Sequence, residues 1–102
     1  MFLVEFLLPV SDNDGKRIAK DEFERVRHEL TQRFGGVTAF MRSPAIGHWA
    51  DETGVVRRDE IVSFEVMSET LDREWWRDYR EKLGQRFRQE EIVVRATSFE
   101  RL

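Results

Sequence analysis

The chain has 102 residues and a formal charge of −3, and it is 40% hydrophobic with eight Phe, three Trp, two His and no Cys. That length holds one cooperative core, so residues 1–102 are read as a single domain, and the aromatic content argues against disorder. The missing cysteines exclude disulfides, iron–sulfur clusters, thiol nucleophiles and cysteine-based zinc sites, and the acidic balance removes the electrostatic footprint of a nucleic-acid or anionic-membrane binder.

The opening run Met1 to Val10 is apolar but lacks a basic start, carries Glu5 at its middle and is followed by the charged stretch Ser11 to Arg17. It is expected to be a buried strand of a cytoplasmic protein, not a signal peptide, and it falls far short of the ~20 apolar residues that span a bilayer. After a turn-rich loop the period changes. Ala19, Phe23, Val26, Leu30 and Phe34 share one arc of a helix, with Asp21 and Glu24 as a capping box and Gly35-Gly36 as a left-handed stop.

Val37 to Arg42 is expected to form a second strand, broken by Ser43-Pro44-Ala45. Ile46 to Ala50 and Val55 to Arg58 then flank the turn Asp51 to Gly54, so that 43–60 makes a long, irregular hairpin before a third strand, Glu60 to Met67. A second helix from about Asp72 places Trp76, Tyr79, Leu83 and Phe87 on one stripe, and Glu91 to Phe99 closes the chain as a last strand. The order β-α-β-β-α-β predicts an α+β, ferredoxin-like sandwich: a four-stranded antiparallel sheet, 4-1-3-2, with both helices on one face.

Strand alternation assigns Phe2, Val4, Phe6 and Leu8 to the helix-covered face and Leu3, Glu5 and Leu7 to the other. The open face also receives Phe40, Arg42, Ser63, Glu65, Met67 and Arg95, half apolar and half charged. So many large apolar side chains call for a cover, and a homodimer built through this face, with Phe40 and Leu7 in the interface, is the expected one.

In the expected strand order Glu5 lies between Glu65 and Arg95. Two carboxylates in a partly desolvated cavity raise the pKa of one of them, which suits a general acid or base; the structural alternative is a Glu5–Arg95 ion pair, with Glu65 paired to Arg42 or to water. Glu5 and His48 are the catalytic candidates, His48 as a proton shuttle. Trp49 is a candidate pocket wall, and Arg42 or Arg95 a candidate anchor for a small anionic ligand. Asp12-Asn13-Asp14-Gly15 lacks the outer positions of a calcium loop and is read as a turn, and His28 falls on the solvent side of its helix. Arg73, Arg77 and Arg80 line one flank of the second helix. They could seat a carboxylate or phosphate, or pair with Glu74, Asp78 and Glu81 as a solvated face. Trp75 lies beside the helix stripe and is open to contact with a partner or with the hairpin.

An RNA-binding use of this topology needs stacking aromatics on the two central strands, and those strands present none on the open face. Two classes remain. The leading expectation is a homodimeric binding or regulatory module without catalysis; the alternative is a small cofactor-independent enzyme. The topology resembles the dimeric α+β barrel group, which implies isomerase or oxygenase chemistry in the enzyme case, with no cofactor and no metal. The stretches Arg33 to Ala39, Arg42 to Trp49, Val56 to Glu60 and Phe87 to Arg95 resemble those of a family of small bacterial hypothetical proteins of this length. That resemblance implies a shared fold and a bacterial cytoplasmic protein, and it carries no activity.

Overall fold

The structure, a computed structural model, describes residues 1–36, 38–42, 48–50, 56–58 and 61–102, with side chains over 1–36, 38 and 61–102. Its elements are β1 (Phe2–Pro9), α1 (Lys20–Phe34), β2 (Thr38–Arg42), β3 (His48–Ala50), β4 (Val56–Arg58), β5 (Ile61–Ser68), α2 (Arg73–Arg86) and β6 (Val94–Ser98). The α+β class, with two helices and an antiparallel sheet, is as the sequence predicts. β2, β5, β1 and β6 lie side by side in that order, each antiparallel to its neighbour. Among the described residues β3 and β4 pair with each other, as a separate two-stranded sheet. The segments 43–47 and 51–55, which the long hairpin was expected to contain, lie outside the described residues.

Alternation decides which face is buried. Val4, Phe6 and Leu8 of β1 and Val62, Phe64 and Val66 of β5 are all buried, and they meet Val26 and Leu30 of α1 and Trp76, Tyr79 and Leu83 of α2. Phe6 is at the centre: its ring stacks on Phe64 at 5.3 Å and touches Trp76 and Tyr79 at 6.1 and 6.4 Å. The helix layer is itself knitted by aromatics. Phe34 stacks on Trp76 at 5.3 Å, Phe23 meets Phe87 at 5.1 Å, and Trp75, whose role the sequence leaves open, lies against Tyr79 and Phe34. The Arg33 guanidinium covers the Trp75 ring at 4.4 Å, so the second indole is spent on intramolecular packing.

Two boundaries differ from the sequence expectation, and the end of α2 adds a third feature of note. α1 starts at Lys20 with Ala19 as its N-cap and no side-chain cap, so Asp21 and Glu22 act from inside the first turn, where a carboxylate favours the helix dipole. β6 starts at Val94, and Ile92 reaches the core from the preceding loop. α2 ends without glycine: Arg88 takes the left-handed conformation, φ 52°, while the Gln89 amide donates to the Gly84 carbonyl and the Arg88 amide to Gln85. This is the Schellman pattern with an L side chain where glycine is preferred. Arg88→Gly should therefore stabilise the protein, by about 1 kcal/mol, read as a higher urea midpoint at unchanged slope, because the pair it gives up, Arg88 with Asp12 at 3.7 Å, uses a largely exposed guanidinium; an unchanged or lower midpoint would show that relief of strain does not exceed the loss of that pair.

Other ends agree with expectation. Gly35 closes α1 in the left-handed region, φ 79°, and the Asp72 side chain caps α2 by accepting from the Trp75 amide at 3.1 Å. The Asp12 carboxylate accepts from the amides of Asp14 and Lys16, both at 2.9 Å, which makes Asp12 to Lys16 a turn held by its own side chain.

Among the described residues two polar links tie the helices together: Arg33 of α1 pairs with Asp72, the N-cap of α2, at 3.2 Å, and a second link centres on Glu29. Glu29 of α1 accepts two hydrogen bonds from Arg86, one of them at 3.0 Å, and another at 3.0 Å from the Tyr79 hydroxyl. The Arg86 hydrogen bond holds the Glu29 carboxyl below its ordinary value, while burial and then the Glu29 charge raise the Tyr79 phenol. A carboxyl lowered by folding contributes stability that is complete above its unfolded value near 4.5 and disappears as pH falls through the folded value. Glu29→Gln should cost about 1–3 kcal/mol at neutral pH. Urea unfolding at pH 7 and pH 3 checks it: the difference between wild type and variant should shrink at the lower pH, and a gap that persists would remove Glu29 ionisation as its cause.

Candidate functional site

The open face is built by the odd-numbered residues of β1, and its chemistry lies in one transverse row. In register, Glu5 faces Arg95 on β6 and Glu65 on β5, and Glu65 faces Thr38 on β2. Directly opposed residues in an antiparallel pair hold their Cβ atoms about 5 Å apart, so the two carboxylates are immediate neighbours. They are not equivalent. Arg95 donates from Nε to Glu5 Oε1 at 2.9 Å, with the Glu5 side chain 20% exposed and that of Arg95 63% exposed. Glu65 is half-buried and has no hydrogen bond or ion pair among the described residues.

The difference has a geometric source. Arg95 sits on the edge strand beside β1, within reach of Glu5, whereas Glu65 is one strand further away. Of the two pairings expected for a structural row, Glu5 with Arg95 is present. Glu65 is instead left to a cavity of about 500 Å³, whose lining includes Leu3, Thr38, Met67, Gly35-Gly36 and Arg101. The wall is thus mixed: an acid and a hydroxyl group from the sheet, apolar side chains from β1 and β5, and a guanidinium-bearing residue from the C-terminal tail.

Gly35, Gly36 and Arg101 were not recognised from the sequence as site residues. Gly35-Gly36 was legible as a helix stop, and the same stop places backbone at the cavity rim. Arg101 follows the last strand, where no periodicity places a residue. The Phe99 amide donates to the Met1 carbonyl at 3.1 Å, which carries the tail past the start of β1 toward the cavity.

Leu7 is 39% exposed on the same face, opposite Ser63, which is fully buried and whose Oγ has no hydrogen-bond partner among the described residues. Phe40 and Arg42 take register positions opposite Ser63 and Ile61, and their side chains lie outside the described residues. His48 and Trp49 belong to β3, in register with Arg58 and Arg57 of β4, and so are not members of the four-stranded sheet that carries Glu5 and Glu65. The structure therefore brings together Glu5, Glu65, Arg95 and Leu7 of the expected set, and separates His48 and Trp49 from that row in sheet membership.

No family model matches the chain, and no curated protein matches it. Among solved structures, a phage SAM lyase in complex with S-methyl-5'-thioadenosine is similar at 15% identity and a TM-score of 0.61, over 94% of this chain and 79% of that one. The phage SAM lyase in the apo state matches at 15% identity and 0.58, over 94% and 78%. What these likenesses show is the fold, and the resemblance to a small bacterial family is carried no further than a small α+β protein. They also correct one expectation. The leading reading, a non-catalytic homodimeric binding or regulatory module on the open face, is not the one these likenesses favour: both structures named are of an enzyme, which agrees better with the enzyme alternative.

Proposed function

We propose that the chain is a ferredoxin-like enzyme of the lyase kind, cleaving a carbon–sulfur bond of a sulfonium nucleoside such as SAM at the Glu65 end of the open face. The observation that carries this reading is the likeness to a SAM lyase over 94% of the chain. The cavity supports it by its composition, since an uncommitted carboxylate beside Leu3 and Met67 suits a ligand that is cationic at one atom and apolar around it.

In the proposed reaction Glu65 takes a proton from the carbon next to the one bonded to sulfur. The electrons of that C–H bond form a carbon–carbon double bond, the C–S bond breaks, and sulfur leaves with its electron pair as a neutral thioether. A carboxylate and a sulfonium enter and two neutral groups remain. Charge annihilation of this kind is favoured where water is partly excluded, because separated charges are least stable there. Glu5 is neutralised by Arg95, so Glu65 is the carboxylate left to face the sulfonium and accept the proton.

Incubation of the purified chain with SAM, followed by chromatography for S-methyl-5'-thioadenosine, tests the reading. Release well above a protein-free control is expected. Release at the control rate, with no saturable binding of SAM or of the thioether, would overturn it.

A further inference from the structure

We infer that the groove between α2 and the edge strand β6 is a second ligand site, selective for a phosphate monoester that carries a small apolar body. Arg73, Arg77 and Arg80 follow one another at i, i+4 and i+7 along α2, within an arc of about 60°. They line a cavity of about 250 Å³ whose floor includes Trp76, Val94 and Ala96. None of the lining residues is acidic.

Like charges at this spacing repel, and a solvated helix normally relieves them with carboxylates one turn away. Glu74, Asp78 and Glu81 are available on the same helix, yet among the described residues the three arginines form no ion pair. The floor is apolar where α2 meets the edge of the sheet: Trp76 comes from the helix, and Val94 and Ala96 come from β6, an edge strand among the described residues. Arg95 borders the groove, but its Nε is committed to Glu5 on the opposite face, so the cationic wall is that of α2 alone.

Three guanidiniums facing one space favour a dianion over a singly charged carboxylate, since planar N–H pairs match phosphate oxygens in bidentate fashion. The apolar floor adds affinity only for a ligand with an apolar portion next to the phosphate. A bare anion leaves that floor wet. This site is separate from the Glu65 cavity and does not depend on the reaction proposed there.

Phenyl phosphate is the probe, with inorganic phosphate and phenol as comparisons, titrated into the full chain and followed by amide and arginine Nε–H shifts in NMR spectra. Saturable submillimolar binding of phenyl phosphate is expected, with shifts at Arg73, Arg77, Arg80 and Val94. Inorganic phosphate and phenol should each bind at least tenfold more weakly. Arg77→Gln combined with Arg80→Gln should weaken phenyl phosphate at least tenfold; both positions are exposed, and an unchanged amide spectrum elsewhere confirms the fold. Affinity unaffected by the double substitution, shifts confined to the Glu65 cavity, or no saturable binding would each overturn the assignment. Equal affinity for inorganic and phenyl phosphate would overturn the role of the floor.

Discussion

Glu65→Gln is expected to reduce SAM cleavage by about 10²–10⁴-fold, the range typical of removing a positioned general base, while leaving the melting temperature nearly unchanged. Glutamine keeps the size and hydrogen-bonding reach of glutamate but cannot accept the proton. Glu65 has no ion pair among the described residues, so little stability should depend on its charge. The comparison with Glu5→Gln sharpens the test. That change strips Arg95 of its carboxylate partner and leaves an uncompensated positive charge near a cationic ligand, yet keeps Glu65 in place, so its effect should be smaller and should fall more on KM than on kcat. Full turnover by Glu65→Gln would remove the residue from the chemistry, even if the chain proved to be a lyase.

Phe6→Ala should produce the largest loss of stability, about 3–5 kcal/mol, which for a domain of this size corresponds to about 15–25 °C in melting temperature. Phe6 is 1% exposed, and its ring touches aromatics on both β5 and α2. Its removal leaves a void bounded by Phe64, Trp76 and Tyr79, and these cannot all move inward without giving up their own packing. A loss of this size is a large share of the whole stability of a small domain. Thermal and urea unfolding measure it. A loss near 1 kcal/mol would mean that the helix layer collapses onto the sheet and that the aromatic cluster is less rigid than its stacked geometry implies.

Much of this architecture can be read from residue periodicity. The stripe Trp76, Tyr79, Leu83 and Phe87 is buried at every position, as are Val4, Phe6 and Leu8 on β1, because one-sided burial leaves a period that no local irregularity disguises. The neighbours of Glu5 were legible too, once strand parity and strand order were combined. The site itself was less so. Its cavity depends on a helix stop, a register position on β2 and a tail residue that meet only in three dimensions. Parity places Glu5 and Glu65 on one face but does not say which of them Arg95 engages, and that choice separates an ion-paired carboxylate from a free one. Nor can a half-apolar, half-charged face tell assembly from catalysis, because both use such a surface. The end of α2 leaves no mark in the sequence for a simpler reason: the left-handed residue is Arg88, and nothing in an arginine announces that conformation.

The lengths of the strands bear on how the protein behaves at high concentration. The two inner strands, β1 and β5, have eight residues each, whereas the two outer ones, β2 and β6, have five. Among the described residues a tapered sheet offers a newcomer only a short ladder of unpaired amides and carbonyls on either side, and the second of the five residues of β6 is a well-exposed arginine that must surrender its hydration. Strand-by-strand growth into fibrils therefore gains few hydrogen bonds at each addition and meets a charge at one border. The narrowing of the sheet toward its borders thus guards the chain against open-ended polymerisation.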